Sequence, residues 1–403
     1  MIQNSGVPIY SLKFGLLCAS SFLFSSSFNM LIPELPSYLS KMGGGAYKGY
    51  IIALFTLTAG LSRPFSGRLT DTIGRVPVMA IGSLVCFVCG FLYPLLTTVT
   101  GFLVLRLFHG FSTGFKPTAT AAYIADIIPA SRWGEAMGIH GLCFSTGLAI
   151  GPALGSFITA RYSINILFYA SSLFALLSIA ILLHLKETHP EKQRFRFALL
   201  KMKRSDIIAP QVLPAAFVTF IGYISYGVIL TLIPDWSEHL GVRNKGTFFI
   251  VFTLASLLVR FGGGKLSDKR GRVFVLRIAL LLIVSSVFIL GWATSVETLM
   301  AGTFLYGIAT GLFSPASTAW TSDLSDPDHR GRAMATMYIA LEAGIGLGAL
   351  AAGWLFNDQM QRVPAILYGC AALTLPGLLY LLQTRNNKEQ KPFQAPVQPA
   401  PGS

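Results

Sequence analysis

Two short segments that match each other decide the fold. The first reads Gly67-Arg68-Leu69-Thr70-Asp71-Thr72-Ile73-Gly74-Arg75, and the second reads Gly264-Lys265-Leu266-Ser267-Asp268-Lys269-Arg270-Gly271-Arg272. They lie 197 residues apart, and the same shift superposes further matching residues, among them Gly110 on Gly307, Asp126 on Asp323 and Gly147 on Gly344. One unchanged offset over such a length indicates a duplicated unit.

The composition around these segments is that of a membrane protein. Of the 403 residues, 53% are hydrophobic and only 12% are charged, whereas a soluble domain carries about 25% charged residues. The apolar residues form blocks of about 20, which is the length that crosses about 30 Å of hydrocarbon. We therefore predict an all-α membrane protein whose twelve transmembrane helices form two pseudo-symmetric six-helix bundles.

The predicted spans divide the chain into two membrane units. We expect an N-terminal six-helix bundle at 1–185, a cytoplasmic linker at 186–210, a C-terminal six-helix bundle at 211–384 and a disordered cytoplasmic tail at 385–403. Because each unit has six helices, both copies insert in the same direction.

Charge predicts the orientation. The net charge is +14, and Lys and Arg collect in alternate loops, which places both termini of this multi-pass protein in the cytoplasm, with the inner cell membrane as its location. The basic linker is expected to lie along the anionic inner leaflet and not to bind nucleic acid.

The cysteines and histidines predict no metal centre, cofactor or enzymatic site. All five cysteines lie inside apolar stretches, and the CxxC of Cys86 and Cys89 is interpreted as small apolar filling of a membrane helix. A membrane transferase would need a nucleophile–base or metal constellation, and the six histidines are too scattered along the sequence to supply one. We therefore expect a protein that is not an enzyme.

The paired segments resemble the G-x-L-x-D-x-x-G-R signature of the major facilitator superfamily, and the resemblance extends over essentially the whole chain. It implies a transporter that works by alternating access, and a charged cluster that latches the two halves in the outward-open state. A charged topological anchor is the alternative role. The latch residues implied by the resemblance are Gly67, Asp71, Gly74, Arg75, Asp126, Gly264, Asp268, Gly271 and Arg272.

Two further stretches resemble motifs of the same family. Residues 103–110 are similar to its R-x-x-Q-G element, with His109 in the place of Gln, which implies that Arg106 supports proton coupling. An arginine that snorkels to the outer interface is the alternative. Residues 147–156 resemble the G-x-x-x-G-P-x-x-G-G element of antiporters except at Ser156, and this resemblance favours efflux.

Three acids in or near the spans are candidates for the proton. Glu34 and Asp235 end the similar segments at 31–34 and 232–235, and Glu342 lies about ten residues into the eleventh span. A desolvated carboxyl can take up and release a proton. Solvation at the interface is the alternative for Glu34 and Asp235. A structural pair with a basic side chain, with Arg260 as a candidate, is the alternative for Glu342. The proton-coupling set is therefore Glu34, Arg106, Asp235 and Glu342.

Polar and aromatic residues inside the spans are candidates for the substrate cavity. Lys116 has no counterpart in the repeat, where Phe313 stands, and it is expected either to hold an anionic group or to snorkel to the inner interface. The predicted cavity residues are Asn29, His109, Thr113, Lys116, Tyr223, Tyr226, Tyr306, Thr310 and Tyr338.

Together these features predict a secondary active transporter that moves a small solute by alternating access. Proton-coupled efflux of a drug-like compound or metabolite is the preferred activity, and proton-coupled uptake of a small, anionic nutrient is the alternative. The expected partners are the small-molecule substrate, protons and the lipid bilayer, and the protein is expected to be a monomer.

Overall fold

The structure is a computed structural model that describes residues 11–129, 132–189, 195–196, 208–325 and 330–384. The predicted tail at 385–403 and most of the predicted linker lie outside the described residues.

Fourteen α-helices form most of the described part of the chain. The first half contains α1 (Leu12–Asn29), α2 (Leu35–Lys41), α3 (Lys48–Thr70), α4 (Arg75–Leu92), α5 (Val99–His109), α6 (Phe111–Ile127), α7 (Trp133–Arg161) and α8 (Ile164–Leu182). The second half contains α9 (Leu213–His239), α10 (Thr247–Arg270), α11 (Arg272–Trp292), α12 (Val296–Leu324), α13 (Arg330–Phe356) and α14 (Val363–Gln383).

These helices supply the twelve predicted crossings because two crossings are broken. A turn at residues 30–34, which contains Pro33, separates α1 from α2, and a break at Gly110 separates α5 from α6. Proline removes a helical hydrogen bond, which accounts for the first break. Gly110 lies so close to α3 that a Cβ there would come within 2.0 Å of the Phe55 carbonyl oxygen.

The two halves use the same packing scheme. In the first half α1 packs on α7 and α8, α4 on α6 and α8, and α3 on α6. In the second half α9 packs on α13 and α14, α11 on α12 and α14, and α10 on α12. Each pair in one list is the repeat counterpart of a pair in the other, so the duplication in sequence is a duplication in structure.

Glycines allow α1 and α7 to approach backbone to backbone. Along the predicted antiporter-like stretch, a Cβ at Gly151 would come within 2.9 Å of the Ser26 carbonyl oxygen, and one at Gly155 within 2.0 Å of the Met30 carbonyl oxygen. Small residues four positions apart are the usual means by which membrane helices pack closely.

We expect Gly155→Ala to lower the stability of the protein by about 1–3 kcal/mol, because the added methyl group must push α7 away from the backbone of Met30, which follows α1. The matched control is Gly138→Ala on the same helix, where a Cβ meets nothing within 4 Å. Thermal unfolding in detergent measures the effect. Equal unfolding midpoints for the two variants would contradict the close approach.

The halves meet along two equivalent helix pairs, α3 with α13 and α7 with α10. α3 is packed against α13 at its first turn, where a Cβ at Gly49 would come within 2.3 Å of the Ala349 carbonyl oxygen. Towards the other end of these helices, the described glycines Gly67, Gly138 and Gly141 lie in open space, since a Cβ at each would meet nothing within 4 Å. We call the end at Lys48 the closed end and the end at Gly67 the open end.

Candidate functional site

A buried lysine joins the two halves at the closed end. Lys48 begins α3, and its Nζ donates to Asp235 of α9 and to Asp358, each at 2.5 Å. The side chains of Lys48 and Asp235 are 4% and 5% exposed, whereas that of Asp358 is 46% exposed. Asp235, one of the predicted proton residues, is therefore one side of an ion pair between the halves and is not solvated at an interface.

Two more polar contacts cross the closed end. Lys245, ahead of α10, donates to Ser37 of α2 at 2.6 Å and pairs with Glu238 at 2.6 Å. Asn244 donates to the Ala153 carbonyl of α7 at 3.3 Å. With the Lys48 cluster, these contacts hold both helix pairs together at this end.

Glu34, the second predicted proton residue, is also buried. Only 9% of the residue is exposed, and its carboxylate accepts from Ser156 of α7 at 2.7 Å. Ser156 is the position at which the sequence departs from the antiporter-like element. Its hydroxyl thus supplies a hydrogen bond that the usual glycine could not.

Glu342, the third predicted proton residue, is bound across the halves near mid-helix. Its carboxylate accepts from Arg63 of α3 at 2.8 Å, and the Arg63 guanidinium also lies 4.5 Å from the centroid of the Tyr338 ring. Glu342 does pair with a basic side chain, but the candidate partner Arg260 was wrong, because Arg260 donates instead to Ser145 of α7 at 3.0 Å.

These two cross-half contacts are repeat counterparts. Arg63 and Arg260 differ by 197 in number, as do Ser145 and Glu342. In each half an arginine therefore faces the same position on a helix of the other half. Arg63 meets the Glu342 carboxylate there, and Arg260 meets the Ser145 hydroxyl. Sequence reasoning missed Arg63, although the shared offset of both pairs was a signal that could have found it.

Arg106 lies inside the first half, and the snorkelling alternative does not hold. Only 1% of the residue is exposed. Its Nε donates to the Ile51 carbonyl at 3.0 Å, and its guanidinium lies 4.4 Å from the centroid of the Phe55 ring. These two partners come from α3, the helix that carries Lys48 and Arg63.

His109 connects Arg106 to α4. The imidazole Nδ1 lies 3.3 Å from Arg106 and 3.1 Å from the Tyr93 hydroxyl, and its Nε2 lies 3.2 Å from the Cys86 thiol. All of these groups are buried. The prediction that His109 lines the cavity is wrong in this conformation, because its ring faces the interior of its own half.

Lys116 is likewise buried, with 1% exposure, and it neither lines the space between the halves nor snorkels to an interface. Of the other predicted cavity residues, Asn29, Thr113 and Tyr306 are buried, and Asn29 and Thr113 bond to the backbone of their own helical crossings. Those that keep partial exposure are Tyr223, Tyr226, Thr310 and Tyr338.

The two predicted latch clusters are alike, and the contacts described for each stay within one half. At the open end Arg75 bridges Asp71 at 3.1 Å and Asp126 at 3.0 Å. In the second half Arg272 binds Asp268 and, at 3.0 Å, Asp323.

The glycine before each bridging arginine is required for its backbone. Gly74 and Gly271 have φ values of 114° and 96°, which side-chain-bearing residues rarely adopt. Gly67 lies in α3 facing open space, and Gly264 lies in α10.

Glu187 completes the cluster of the first half, and sequence reasoning missed it. Its carboxylate accepts from the backbone N–H groups of Arg75 and Val76 at 2.9 and 3.0 Å, at the start of α4. Burial tends to raise the pKa of Glu187, but the hydrogen bonds from four backbone N–H groups outweigh it and lower this pKa below its ordinary value. The anion therefore caps the positive end of α4.

A duplicated bundle of twelve crossings, with its halves joined by polar contacts at one end, is the architecture of a secondary transporter. Residues 17–215 and 215–401 match the model of the Major Facilitator Superfamily, and the chain belongs to that family. It is a multi-pass membrane transporter of small molecules and not an enzyme.

Curated relatives of this chain are named as drug resistance proteins. It is 26% identical over 325 residues to Multidrug resistance protein 2 of Bacillus subtilis (strain 168), covering 77% of this chain and 81% of that protein. It is 23% identical over 381 residues to Quinolone resistance protein NorA of Staphylococcus aureus (strain MRSA252), covering 91% and 95%. Among solved structures, a D-xylose-proton symporter matches with a TM-score of 0.76 and 16% identity over 94% of this chain and 99% of that one.

Proposed function

We propose that this protein exports drug-like compounds or metabolites across the inner cell membrane in exchange for protons. The observation that carries the proposal is Glu342, a buried carboxylate that joins the two halves through Arg63 near the middle of the bundle. A proton or a cationic solute can each compete with Arg63 for this carboxylate. The names of the curated relatives and the antiporter-like stretch of α7 support export.

The orientation of the bundle follows from its basic residues. With both termini in the cytoplasm, as the distribution of Lys and Arg favours, the closed end faces outward and the open end faces the cytoplasm. The conformation described here is then inward-facing, with Glu342 reached from the cytoplasm. We propose that the protein works as a monomer in the bilayer, with 1–185 and 211–384 as the bundles that rock about the centre.

The transport cycle then couples the proton to the contacts between the halves. In the inward-facing state Glu342 is ionised and holds Arg63, and Lys48 keeps the outer end closed. A cationic solute from the cytoplasm displaces Arg63, and the halves rock to open the outer end. There a proton neutralises Glu342 and releases the solute, and the protonated carboxyl returns to the cytoplasmic side and gives up its proton. Because one cation leaves for each proton that enters, this exchange moves no net charge and is driven by the pH gradient.

The other predicted coupling residues have distinct places in this cycle. Glu34 and Asp235 lie at the end that must open, where Asp235 can accept a proton once Lys48 has separated from it. Arg106 binds the backbone of α3 at Ile51 and so positions the helix that carries Lys48 and Arg63.

Transport of ethidium in proteoliposomes tests the proposal. An acidic lumen is expected to drive ethidium into the vesicles, because each proton that leaves exchanges for the dye. Accumulation that requires an acidic exterior instead would identify a symporter. Equal uptake with and without either gradient would refute proton coupling.

One observation favours the alternative, proton-coupled uptake of an anionic solute. Arg260 is the counterpart of Arg63 but donates to the Ser145 hydroxyl instead of a carboxylate, and its Nε has no hydrogen-bond partner within the described structure. A guanidinium without a carboxylate at this depth can hold an anionic group. Carboxyfluorescein uptake driven by an acidic exterior, and lost in Arg260→Gln, would support this activity.

The latch can be tested through Asp71. The Asp71 side chain is 72% exposed in the inward-facing state. The family resemblance assigns the latch to the outward-open state, so replacing Asp71 should destabilise that state. We expect Asp71→Asn to slow ethidium export about tenfold. The control is Glu135→Gln, which removes an exposed pair with Arg132 and should change little. Equal rates for the two variants would reduce the cluster to a topological anchor.

A further inference from the structure

Lys116 holds an ammonium group deep inside the first half. Its Nζ donates to the Ser20 carbonyl at 3.0 Å, to the Ser20 hydroxyl at 2.8 Å and to the Ser178 hydroxyl, and it lies 4.8 Å from the centroid of the Phe24 ring. These residues come from α1, α6 and α8. The site is therefore built by three helices of one half, away from the contacts between the halves.

No carboxylate pairs with Lys116 within the described part of the chain. The titratable groups that face it are the Cys86 thiol on α4 and the His140 imidazole on α7. α1 and α8 present serines, α3 approaches α6 through the Ser66 hydroxyl, and Arg106 on α5 is ten residues or about 15 Å away along the helices. A buried cation without a counter-ion is costly and usually functional.

The second half shows that the fold does not need this lysine. Ser178 contacts Ser20 and Ser83, at 2.9 and 3.3 Å between hydroxyl oxygens. The buried positions of α8 recur in α14 after 199 residues, as Phe168 and Leu182 do at Leu367 and Leu381. The counterpart of Ser178 is therefore Gly377, where a Cβ would lie 2.8 Å from Ile221 and 3.4 Å from Leu280.

Phe313, at the position of Lys116, places its ring against Gly222 in the second half. An equivalent space is therefore filled there by apolar side chains. The first half has in its place a lysine and three serines, and a packing requirement does not account for them.

The surroundings of the amine can hold both of its protonation states. An ammonium has three donors, and the Ser20 carbonyl with the two hydroxyl oxygens supplies three acceptors. When the proton leaves, either serine hydroxyl can turn and donate to the lone pair of the neutral amine, because a hydroxyl is both donor and acceptor. Ser83 extends this set of hydroxyls towards α4.

We infer that Lys116 is a proton-binding group of the transport cycle, separate from the carboxyls between the halves. It takes a proton from the same gradient and releases it as a neutral amine forms, so that the charge of the first half changes during each cycle. This inference rests on the proposed proton-coupled function, and it gives the three-serine site the role of holding the amine in both forms.

Ethidium transport by Lys116→Met, Lys116→Arg and the control Lys13→Met tests the inference. Arginine keeps the positive charge but cannot release its proton in a protein. We expect both Lys116 variants to lose proton-driven accumulation about tenfold, while exchange of ethidium without a gradient stays within about twofold of wild type. Lys13 is exposed outside this site, and its variant should behave as wild type.

Four other results would overturn the inference. The inference is overturned if both Lys116 variants keep proton-driven accumulation. It is also overturned if Lys116→Arg alone keeps it, because the lysine is then only a structural cation. In both cases proton-driven transport by the wild type still supports the proposed function. Equal loss of exchange and accumulation in Lys116→Arg also overturns it. Wild-type protein without proton-driven transport overturns both. If Lys116→Met does not fold, the result for Lys116→Arg decides.

Discussion

Replacing Glu342 with Gln is expected to abolish proton-driven export of ethidium, with a fall in rate of at least about a hundredfold. The amide has the shape of the carboxyl but carries no titratable proton. It also leaves the buried Arg63 guanidinium without its partner, and removing one side of a buried ion pair costs about 3–5 kcal/mol. Initial rates in proteoliposomes with an acidic lumen measure the effect.

The double variant Arg63→Gln with Glu342→Gln separates the two causes. The double variant removes both charges and so leaves no buried charge unpaired. If the pair is purely structural, transport should return in the double variant; if Glu342 carries the proton, it should not. Ser145→Ala is the matched control, since Ser145 is the repeat counterpart of Glu342 and cannot carry the proton. Recovery of proton-driven export in the double variant would contradict the role given to Glu342.

The second large effect is expected at the closed end. Lys48→Met removes the ammonium that holds Asp235 and Asp358, and leaves the Asp235 carboxylate, 5% exposed, without its partner. Because that carboxylate becomes hydrated when the outer end opens, we expect the equilibrium between the inward-facing and outward-open states to shift towards the outward-open state by at least about tenfold. The protein should then remain folded but favour the opposite conformation.

Spin labels at Thr97 and Thr294 measure this shift. Both positions are exposed, and they occupy repeat-equivalent turns on the two sides of the closed end. We expect a longer distance to become dominant in Lys48→Met but not in Lys41→Met, which removes an exposed lysine from the same end. Identical distance distributions in the two variants would show that the Lys48 cluster does not hold this end closed.

The sequence was sufficient for the fold because its signals are local or periodic. Apolar blocks of membrane-spanning length predict the crossings, and the constant offset of 197 predicts the matching halves. The G-x-L-x-D-x-x-G-R segments also place Arg75 and Arg272 four residues after an acid, and the structure forms both pairs.

Side-chain partners were harder to predict because a helix sequence fixes only the height of a residue along the axis. Glu342 and Arg260 lie at similar depths, yet the packing of α3 on α13 gives Glu342 to Arg63. The spans are apolar on nearly every side, so they carry little periodic signal to show which face meets the cavity. For this reason His109 and Lys116 were predicted at the cavity but lie inside the first half.

The closed-end cluster was missed for a related reason. Asp358 lies in the turn after α13, 310 positions further along the chain than Lys48. Only the folded contact between the halves brings the two together.

The most direct test of this transport mechanism is the proton count on substrate binding. If ethidium and a proton compete for one carboxyl, adding ethidium to the detergent-solubilised protein in weakly buffered solution, at a pH low enough to protonate part of the Glu342 population, must release protons, which a pH-sensitive dye records. We predict release by the wild type and a smaller release or none by Glu342→Gln. Proton uptake by the wild type, or ethidium binding without any change in pH, would contradict exchange of the solute for protons.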